Sequence, residues 1–561
     1  MTFARAFPWL AGAAVVAGGC SGPSVVEAPR VTTPRAPLYD NLGAYHHAIG
    51  TKSPEAQKYF DQGLTLSYAF NHAEAIRSFR QAAAIDVTCA MCYWGVAYAL
   101  GPNINAPITE DAAKEAYEAI EQARARAGSA TEKERAYIEA LAHRYTADPK
   151  AERPPLDSRY AEAMRALVAR FPDDLDAATL FAQALMDTAP WNYWENDGTP
   201  RSFTPDVLAA LESVLKRNPK HPGAVHLYIH AVEASPDPGR ATSYADALPS
   251  LVPGAGHLVH MPAHIYLRVG RYNDASVVNQ NALKADEAYF AGDAVPNNMT
   301  YQVGYLPHNI HFFVASASME GRRADALKAA EDVRARVHAD MLRDPGMGGM
   351  VQHMHLTPLF TKFRFSEWKD LLAEPAPPDD LKYMRAMVHT IKGLAHAAGG
   401  SVADAERERD AVGALKDDPS LATLLVSGVN NAAQIVAIAF EVLSGEIEVK
   451  RRRGDQAAGH FAKAVALEDA LTYMEPPDWP VPARQLQGAA LLELGRATQA
   501  EAAFRQDMKK FPDNGWSLSG LRASLERQGK RGDAAEVAAR FDEQWSRSDV
   551  RVAAGRVAAA Q

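Results

Sequence analysis

A recurrence of small and aromatic residues at fixed spacing constrains the fold of this chain more than any other feature. Each occurrence places glycine, alanine or phenylalanine where two antiparallel helices can pack closely. The pattern occurs at Gly63, Ala75, Phe79 and Ala82, at Gly488, Leu491, Gly495, Ala500, Phe504 and Pro512, and 34 residues after Gly495 and Ala500 at Gly529 and Ala534. A chain of 561 residues is too long for one ordinary core, so several domains or an array of repeats is expected.

The same frame recurs between these two ends of the chain. It occurs at Gly270, Ala275 and Ala282, at Gly321 and Ala326, and at Gly393, Gly400 and Ala405. Over residues 55–545 the sequence resembles the tetratricopeptide-repeat (TPR) family. The resemblance implies an all-α solenoid, a right-handed superhelix of helix pairs with a concave inner face. Long loop insertions at 101–107, 190–200, 288–306 and 473–482 are predicted to form functional rims or lids.

The repeats are predicted to form two lobes. The proline-rich break at 374–380 separates an N-terminal lobe, 53–373, from a C-terminal lobe, 381–545. Residues 546–561 follow the last matched repeat and are predicted to be a frayed tail.

The N-terminus has the layout of an export signal. Arg5 precedes an apolar stretch of small residues that ends in Ala-Gly-Gly-Cys at Cys20. Residues 1–20 are therefore predicted to be a signal peptide, and the cysteine resembles that of bacterial lipoproteins, in which Cys20 is lipidated after cleavage. Cleavage without lipidation is the alternative. Residues 21–52 are predicted to be a flexible tether, and the mature protein to lie on the periplasmic side of the outer membrane or to be soluble in the periplasm.

Composition excludes one class of partner. The net charge is −9, whereas phosphate recognition requires clustered Lys and Arg, so a nucleic-acid partner is not expected. Membrane contact is expected only through the lipid anchor. The expected partner is a peptide, a protein or a small molecule bound in the concave groove.

Histidines recur in register with the repeat. His260 and His264 lie 34 residues after His226 and His230, so two consecutive repeats carry histidine at the same two sites. In the TPR family the corresponding first-helix positions face the concave groove. The alignment places further histidines there, at His257, His308, His311 and His353.

This histidine column predicts a transition-metal site. Neutral imidazole is the commonest metal ligand, and an i, i+4 pair is a recurrent metal spacing. The candidate ligands are His226, His230, His260, His264, His257, His308 and His311. An all-imidazole set suits Zn, Cu, Ni or Fe, and the alternative is that these histidines bind a peptide or an anion, or pack as polar residues, with no cofactor.

Other residues are weaker candidates. Glu233, one turn beyond His230, is the candidate general base if the groove is catalytic, although no HExxH motif is present. The candidate ligand-binding residues are His353, Asp176, Gln183, Asp187, Trp191 and Trp194. Cys89 and Cys92 are predicted to form a disulfide, as expected for an exported chain.

Three functions follow from these patterns. The first is an exported binding protein with a histidine-rich groove and a transition metal. The second is a metal-dependent hydrolase or oxidoreductase that uses the same groove. The third is an envelope scaffold for protein–protein interaction without metal. The strings around the histidines also resemble exported bacterial TPR lipoproteins, a resemblance that implies location and architecture but no reaction, so a binding role is favoured over an enzyme.

Overall fold

We analysed a computed structural model, which describes residues 35–292 and 298–558. The predicted signal peptide, Cys20 and the first part of the predicted tether lie outside the described residues. Among the residues described, no helix combines the length and apolar character needed to cross a bilayer.

The first part of the described chain folds as consecutive helices joined by turns and longer loops. These are α1 Pro54–Tyr68, α2 His72–Ile85, α3 Ala90–Leu100, α4 Glu110–Arg126, α5 Glu132–Ala142, α6 Arg153–Arg170, α7 Leu175–Asp187, α8 Thr204–Arg217, α9 Pro222–Glu233, α10 Thr242–Leu251, α11 Gly256–His260, α12 Pro262–Arg268, α13 Tyr272–Ala291 and α14 Leu306–Met319. Short 3₁₀ turns at Ala127–Ser129 and Pro238–Ala241 and a π turn at Tyr301–Tyr305 complete this part.

The remainder of the described chain is also helical up to its last residues. Its helices are α15 Arg323–Arg336, α16 Gly348–His355, α17 Thr357–Arg364, α18 Trp368–Leu372, α19 Lys382–Ala398, α20 Val402–Leu415, α21 Pro419–Thr423, α22 Ala432–Lys450, α23 Gly454–Asp469, α24 Ala483–Glu493, α25 Ala497–Lys510, α26 Gly515–Arg527 and α27 Arg531–Gln544. A 3₁₀ turn lies at Ala339–Arg343, and strands β1 Val552–Ala553 and β2 Arg556–Val557 pair as a short antiparallel hairpin. The predicted all-α solenoid is confirmed.

The repeat residues found in the sequence position the helices as expected. Phe79 of α2 is fully buried between α1 and α3, where Gly63 and Gly95 leave room for its ring. Phe504 of α25 lies in the same way between Gly488 and Gly520. Because glycine lacks a Cβ, it permits this close approach.

The Phe504 packing predicts a measurable penalty. A Cβ added at Gly520 would lie 2.1 Å from Phe504 Cζ, so Gly520→Ala should lower the free energy of unfolding by about 1–3 kcal/mol through overpacking. Gly459 is the control, because it lies exposed in α23 with nothing within 4 Å of an added Cβ. Gly459→Ala should raise stability by up to about 1 kcal/mol. Urea unfolding compares the two, and equal midpoints would contradict this packing.

The two predicted lobes are not separate. Ala36–Gln561 forms one compact unit. Its two largest clusters of buried apolar residues meet at α14 rather than at 374–380, since the first cluster ends at Phe312 and the second begins at Ile310. The C-terminal helices also return to the middle of the chain, where the indole of Trp516 donates to Ser318 O at 2.8 Å. The proline-rich break is therefore a loop within a continuous solenoid.

Both predicted flexible ends are ordered where the structure describes them. Residues 36–52, which we call the N-terminal segment, pack along α1, with the hydroxyl of Tyr59 donating to Ala36 O at 2.8 Å. In the predicted tail, Asp549 N donates to Gly321 O at 3.2 Å. The predictions of a tether over 36–52 and of fraying over 546–558 are therefore wrong, because each segment finds main-chain partners on the solenoid.

Candidate metal centre

Four helices of the solenoid bring six histidines together. His226 and His230 lie on α9, His257 and His260 on α11, His264 on α12 and His308 on α14. We call these six residues the histidine cluster. The side chains on α9, α11 and α12 are at most 2 % exposed, and His308 is half-buried.

The local sequence determines where these helices begin. His221 caps α9, accepting a hydrogen bond from Ala224 N at 3.2 Å, and Pro222 occupies the first turn, where no N–H is needed. Pro262 likewise opens α12 directly after α11. With these starts fixed, residues four apart, such as His226 and His230, share one helix face.

The imidazole rings form a continuous array. Neighbouring ring centroids are 4.9–5.7 Å apart across the pairs 226–230, 226–257, 230–264, 257–260, 260–264, 260–308 and 264–308. Two groups of three histidines stand out, because the ligand nitrogens within each lie within 4.8 Å of one another, and His230, Glu233 and His264 form a third such group that joins them. We call His226, His230 and His257 the first triad, and His260, His264 and His308 the second triad.

Four of these imidazoles are held by an oxygen at Nδ1. The acceptors are Tyr68 O for His226 (2.6 Å), Glu233 Oε1 for His230 (2.9 Å), Asn279 Oδ1 for His260 (2.6 Å) and Glu233 Oε2 for His264. The amide of Asn279 is itself oriented, because its Nδ2 donates to Ala275 O at 2.7 Å. An Nδ1–H that donates to oxygen leaves Nε2 as the nitrogen that can ligate a metal.

The first triad also contains buried nitrogens without partners. Within the part of the chain that the structure describes, Nε2 of His226, Nε2 of His230 and both ring nitrogens of His257 are buried and make no hydrogen bond. A buried polar group without a partner costs roughly 1–3 kcal/mol. Several such nitrogens converging on one point are therefore costly for packing alone, whereas coordination to one ion would satisfy them.

Burial keeps most of the cluster neutral. It lowers the pKa of His226, His257, His260 and His308 well below the usual value, and neighbouring imidazoles lower it further. Burial also lowers the pKa of His230, although Glu233 partly offsets this effect. These rings hold their nitrogen lone pairs at neutral pH, as metal ligation requires.

Glu233 is the anionic centre of the cluster. Burial would raise its pKa, but the charge of His264 and the hydrogen bond from His230 lower it to about 2. Burial likewise opposes the charge on His264, yet Glu233 and Glu475 raise its pKa to about 9. Glu475 lies with Oε2 3.5 Å from His264 Nδ1. Imidazoles hydrogen-bond both oxygens of Glu233, the candidate general base, so in this geometry the carboxylate orients His230 and His264.

Aromatic side chains close the cluster from the solvent. The rings of Phe70, Trp191, Tyr305 and Phe312 lie 4.3–5.1 Å from cluster imidazoles. Phe70 has φ 55°, a left-handed conformation that Gly270, Gly321 and Gly400 adopt in other turns. The predicted open groove is therefore filled here, and the histidines line a buried centre instead.

His311 and His353 lie beside the cluster but outside both triads. Their ring centroids are 6.3 Å apart, and the hydroxyl of Tyr383 lies 2.7 Å from His353 Nδ1. Burial lowers the pKa of His311 to about 4 and that of His353 to about 3. The structure does not bring His311 into either triad of ligand atoms.

The remaining candidate ligand residues have protein partners. Gln183 Oε1 accepts from the hydroxyl of Tyr98 at 2.6 Å, and Asp187 pairs with the buried guanidinium of Arg144 at 2.8 Å. Asp176 accepts hydrogen bonds from the N-terminal segment, and the indole of Trp194 donates to Ala231 O at 2.7 Å. Only Trp191, the remaining aromatic candidate, contacts the cluster directly. Cys89 and Cys92 are joined as a disulfide at the start of α3.

A cavity of about 430 Å³ lies next to the cluster. It opens at the C-terminal ends of α9, α12 and α14, and Arg268, Glu475 and Trp194 are among its lining residues. Glu475 also contacts His264, so this residue joins the cavity to the histidine cluster. One wall of the cavity is formed by residues of the 473–482 insertion, which the sequence predicts to be a rim or lid.

Comparisons with known proteins add little to this picture. No protein-family model matches the chain, and no curated protein matches it. Human IFIT1 dimer with m7Gppp-AAAA is similar at 12% identity and TM-score 0.34, over 89% of this chain and 91% of that chain. The APC/C hetero-tetramer Cut9–Hcn1 is similar at 13% identity and TM-score 0.29, over 89% of this chain and 75% of that chain. The P58(IPK) TPR domain is similar at 11% identity and TM-score 0.20, over 85% of this chain and 99% of that chain. At these TM-scores we draw no conclusion from them.

Proposed function

We propose that the protein is an exported metal-binding solenoid whose first triad holds a transition-metal ion, Zn, Cu, Ni or Fe. Three imidazole nitrogens are the ligand set of a recurrent class of metal sites. The observation that carries the proposal is the buried Nε2 atoms of His226 and His230, which have no partner while their Nδ1 atoms are held by oxygen acceptors.

The surroundings support a resident ion rather than a peptide. Oxygen acceptors behind metal-ligating histidines fix the ring and the tautomer, and their removal typically costs 10–100-fold in metal affinity. Tyr68 O and Glu233 occupy these places here. A peptide would need an open groove, whereas the cluster is closed by aromatic rings, so an external ligand would fit the adjacent cavity.

Metal content tests the proposal directly. Protein purified without a histidine tag should carry a transition metal, and His226→Ala with His257→Ala should lose the ion of the first triad, because one ligand cannot retain it. Elemental analysis of each variant is the measurement.

His389→Ala with His396→Ala is the matched control. Both residues lie on α19, face carboxylates and are outside the cluster, so this variant should keep the wild-type metal content. If the wild type holds no metal after incubation with Zn, Cu, Ni and Fe salts, the proposal is wrong and a metal-free scaffold is the better description.

A further inference from the structure

A smaller cavity of about 60 Å³ adjoins the larger cavity beside the histidine cluster. It lies between α14, α17 and the 473–482 insertion. The two cavities are neighbours because they share the lining residues Ala315, Met319, Pro477, Trp479 and Phe511. Since about 10–15 Å³ of such volume holds one water, the smaller cavity has room for about four waters or for one carboxylate group.

Arg364, the last residue of α17, is the one charged side chain among the described residues that line the smaller cavity. Burial keeps the lining residue His311 neutral, with a pKa of about 4. Much of the wall is proline, which offers apolar surface and no N–H, at positions 476, 477, 480 and 482. The cavity therefore combines one cation with apolar walls, and no carboxylate lines it within the described chain.

The guanidinium of Arg364 is buried without a carboxylate partner. It is 8 % exposed, and among the described residues no carboxylate oxygen lies within 4.0 Å of it. Its Nη1 donates to Gln485 Oε1 at 2.7 Å, and its Nη2 lies 3.8 Å from Met319 Sδ. Its face stacks on the ring of Trp516 at 4.0 Å. A guanidinium carries five N–H donors, so these contacts hold the group in place and leave donors for a ligand.

The charge of Arg364 is only partly compensated. Burial lowers its pKa to about 9, against the influence of Asp507, so the group is still charged at neutral pH. Asp507 lies beyond Gln485, and its Oδ2 already accepts hydrogen bonds from Gln485, Asn514 and Ser517. A buried charge without a direct partner is unfavourable. An anion in the smaller cavity would supply that partner.

Trp479 provides a second donor in the wall of this cavity. Its side chain is 1 % exposed, and within the described chain its Nε1 has no hydrogen-bond partner. The indoles of Trp194 and Trp516 differ, because they donate to main-chain oxygens at 2.7 and 2.8 Å. A buried N–H without a partner is costly, and a ligand oxygen would satisfy it.

We propose that the smaller cavity binds the carboxylate group of a small organic acid, with Arg364 and Trp479 as donors and the apolar body of the acid extending toward the larger cavity. A guanidinium pairs with a carboxylate through two parallel N–H···O bonds. The larger cavity has both acidic and basic lining residues, such as Glu468 and Lys510, so it does not select for a second charge of either sign. The site uses no residue of the histidine cluster and is therefore independent of the proposed metal.

Calorimetric titration of the full-length protein tests this inference. Hexanoate should bind at one site per chain and more tightly than acetate, because its added methylenes leave water. Hexanamide has the same length without the charge and should bind at least about 10-fold more weakly. Inorganic phosphate bound as tightly as hexanoate would overturn the carboxylate assignment.

Two variants assign the binding to these donors. Arg364→Met should weaken hexanoate binding by about 10–100-fold, and Trp479→Phe, which keeps a ring, by about 10-fold. Lys362→Met is the matched control, because Lys362 is a cation of the same helix that faces Glu331 and Glu374 outside both cavities. It should bind hexanoate like the wild type.

The outcomes separate a ligand site from a structural cation. If circular dichroism shows that Arg364→Met does not fold, Trp479→Phe and the comparison of hexanoate with hexanamide on the wild type decide. No carboxylate binding by the wild type, or equal binding by a folded Arg364→Met, would overturn the proposal, and Arg364 would then serve only to stack on Trp516. Metal content should be unchanged in both variants, so failure here leaves the proposed function in place.

Discussion

Glu233→Gln should destabilise the protein by about 3–5 kcal/mol, because it removes one partner of a buried ion pair. Glu233 is 1 % exposed and accepts from His230 and His264 with separate oxygens. A glutamine retains one acceptor oxygen and turns an N–H toward the other imidazole. Metal affinity should fall by about 10–100-fold at the same time, since both rings lose their orientation.

A pair of the same chemistry at the surface provides the control. Glu408 Oε2 lies 2.6 Å from His389 Nδ1, and both side chains are more than one-fifth exposed. Glu408→Gln should change stability by no more than about 1 kcal/mol, because solvent screens such a pair. Urea unfolding and metal titration compare the two variants, and equal stabilities would mean that the Glu233 pair contributes nothing beyond a surface contact.

Residues that recur with the repeat were sufficient to predict the helical architecture. Gly63 and Phe79 predict close packing of consecutive helices, because the two residues lie near each other in the sequence. In the structure the ring of Phe79 packs against Gly63 as expected. The ends of the chain could not be predicted in this way. The N-terminal segment has no periodic pattern, and its order depends on partners more than 80 residues away, such as Glu134, whose Oε1 accepts from Gly50 N at 2.5 Å.

The same reasoning explains what was found and missed at the candidate site. The histidines of α9, α11 and α12 were found because they occupy equivalent positions in successive repeats. Asn279 and Glu475 were missed, since one lies on an outer helix and the other in the 473–482 insertion. Phe70 was missed because it occupies a turn position that is glycine in other repeats. Nothing in the repeat pattern indicates that a ring at this position would contact the cluster.

The docking of the N-terminal segment predicts a second large effect. His47 and its neighbour His46 each place Nδ1 near a carboxylate, at 2.6 Å from Asp176 Oδ2 and 2.8 Å from Asp61 Oδ2. Only the His47 pair is buried. His47→Ala should therefore cost about 1.5–3 kcal/mol, because Asp176 loses one charge-assisted hydrogen bond but keeps those from Tyr45, Tyr68 and His221, whereas His46→Ala should cost no more than about 1 kcal/mol.

The pH dependence of this effect follows from the two pKa shifts. Burial opposes the charge of His47, but Asp176 raises its pKa above 6.5, so its contribution is complete below about pH 6.5 and declines as pH rises. Burial would raise the pKa of Asp176, but hydrogen bonds from His221 and His47 hold it well below 3.8, so its contribution declines only as pH falls below about 4. Charged groups nearby, Asp174 and Lys133, affect His47 in opposite directions.

The stability difference between wild type and His47→Ala should therefore be largest between about pH 4 and 6.5 and smaller at pH 9. Urea unfolding at these pH values measures it, with His46→Ala as the exposed reference variant. A small, pH-independent cost for His47→Ala would mean that residues 36–52 behave as the tether that the sequence alone predicts. A large cost that declines with pH would show that Asp176, on inner helix α7, anchors the N-terminal segment across the solenoid.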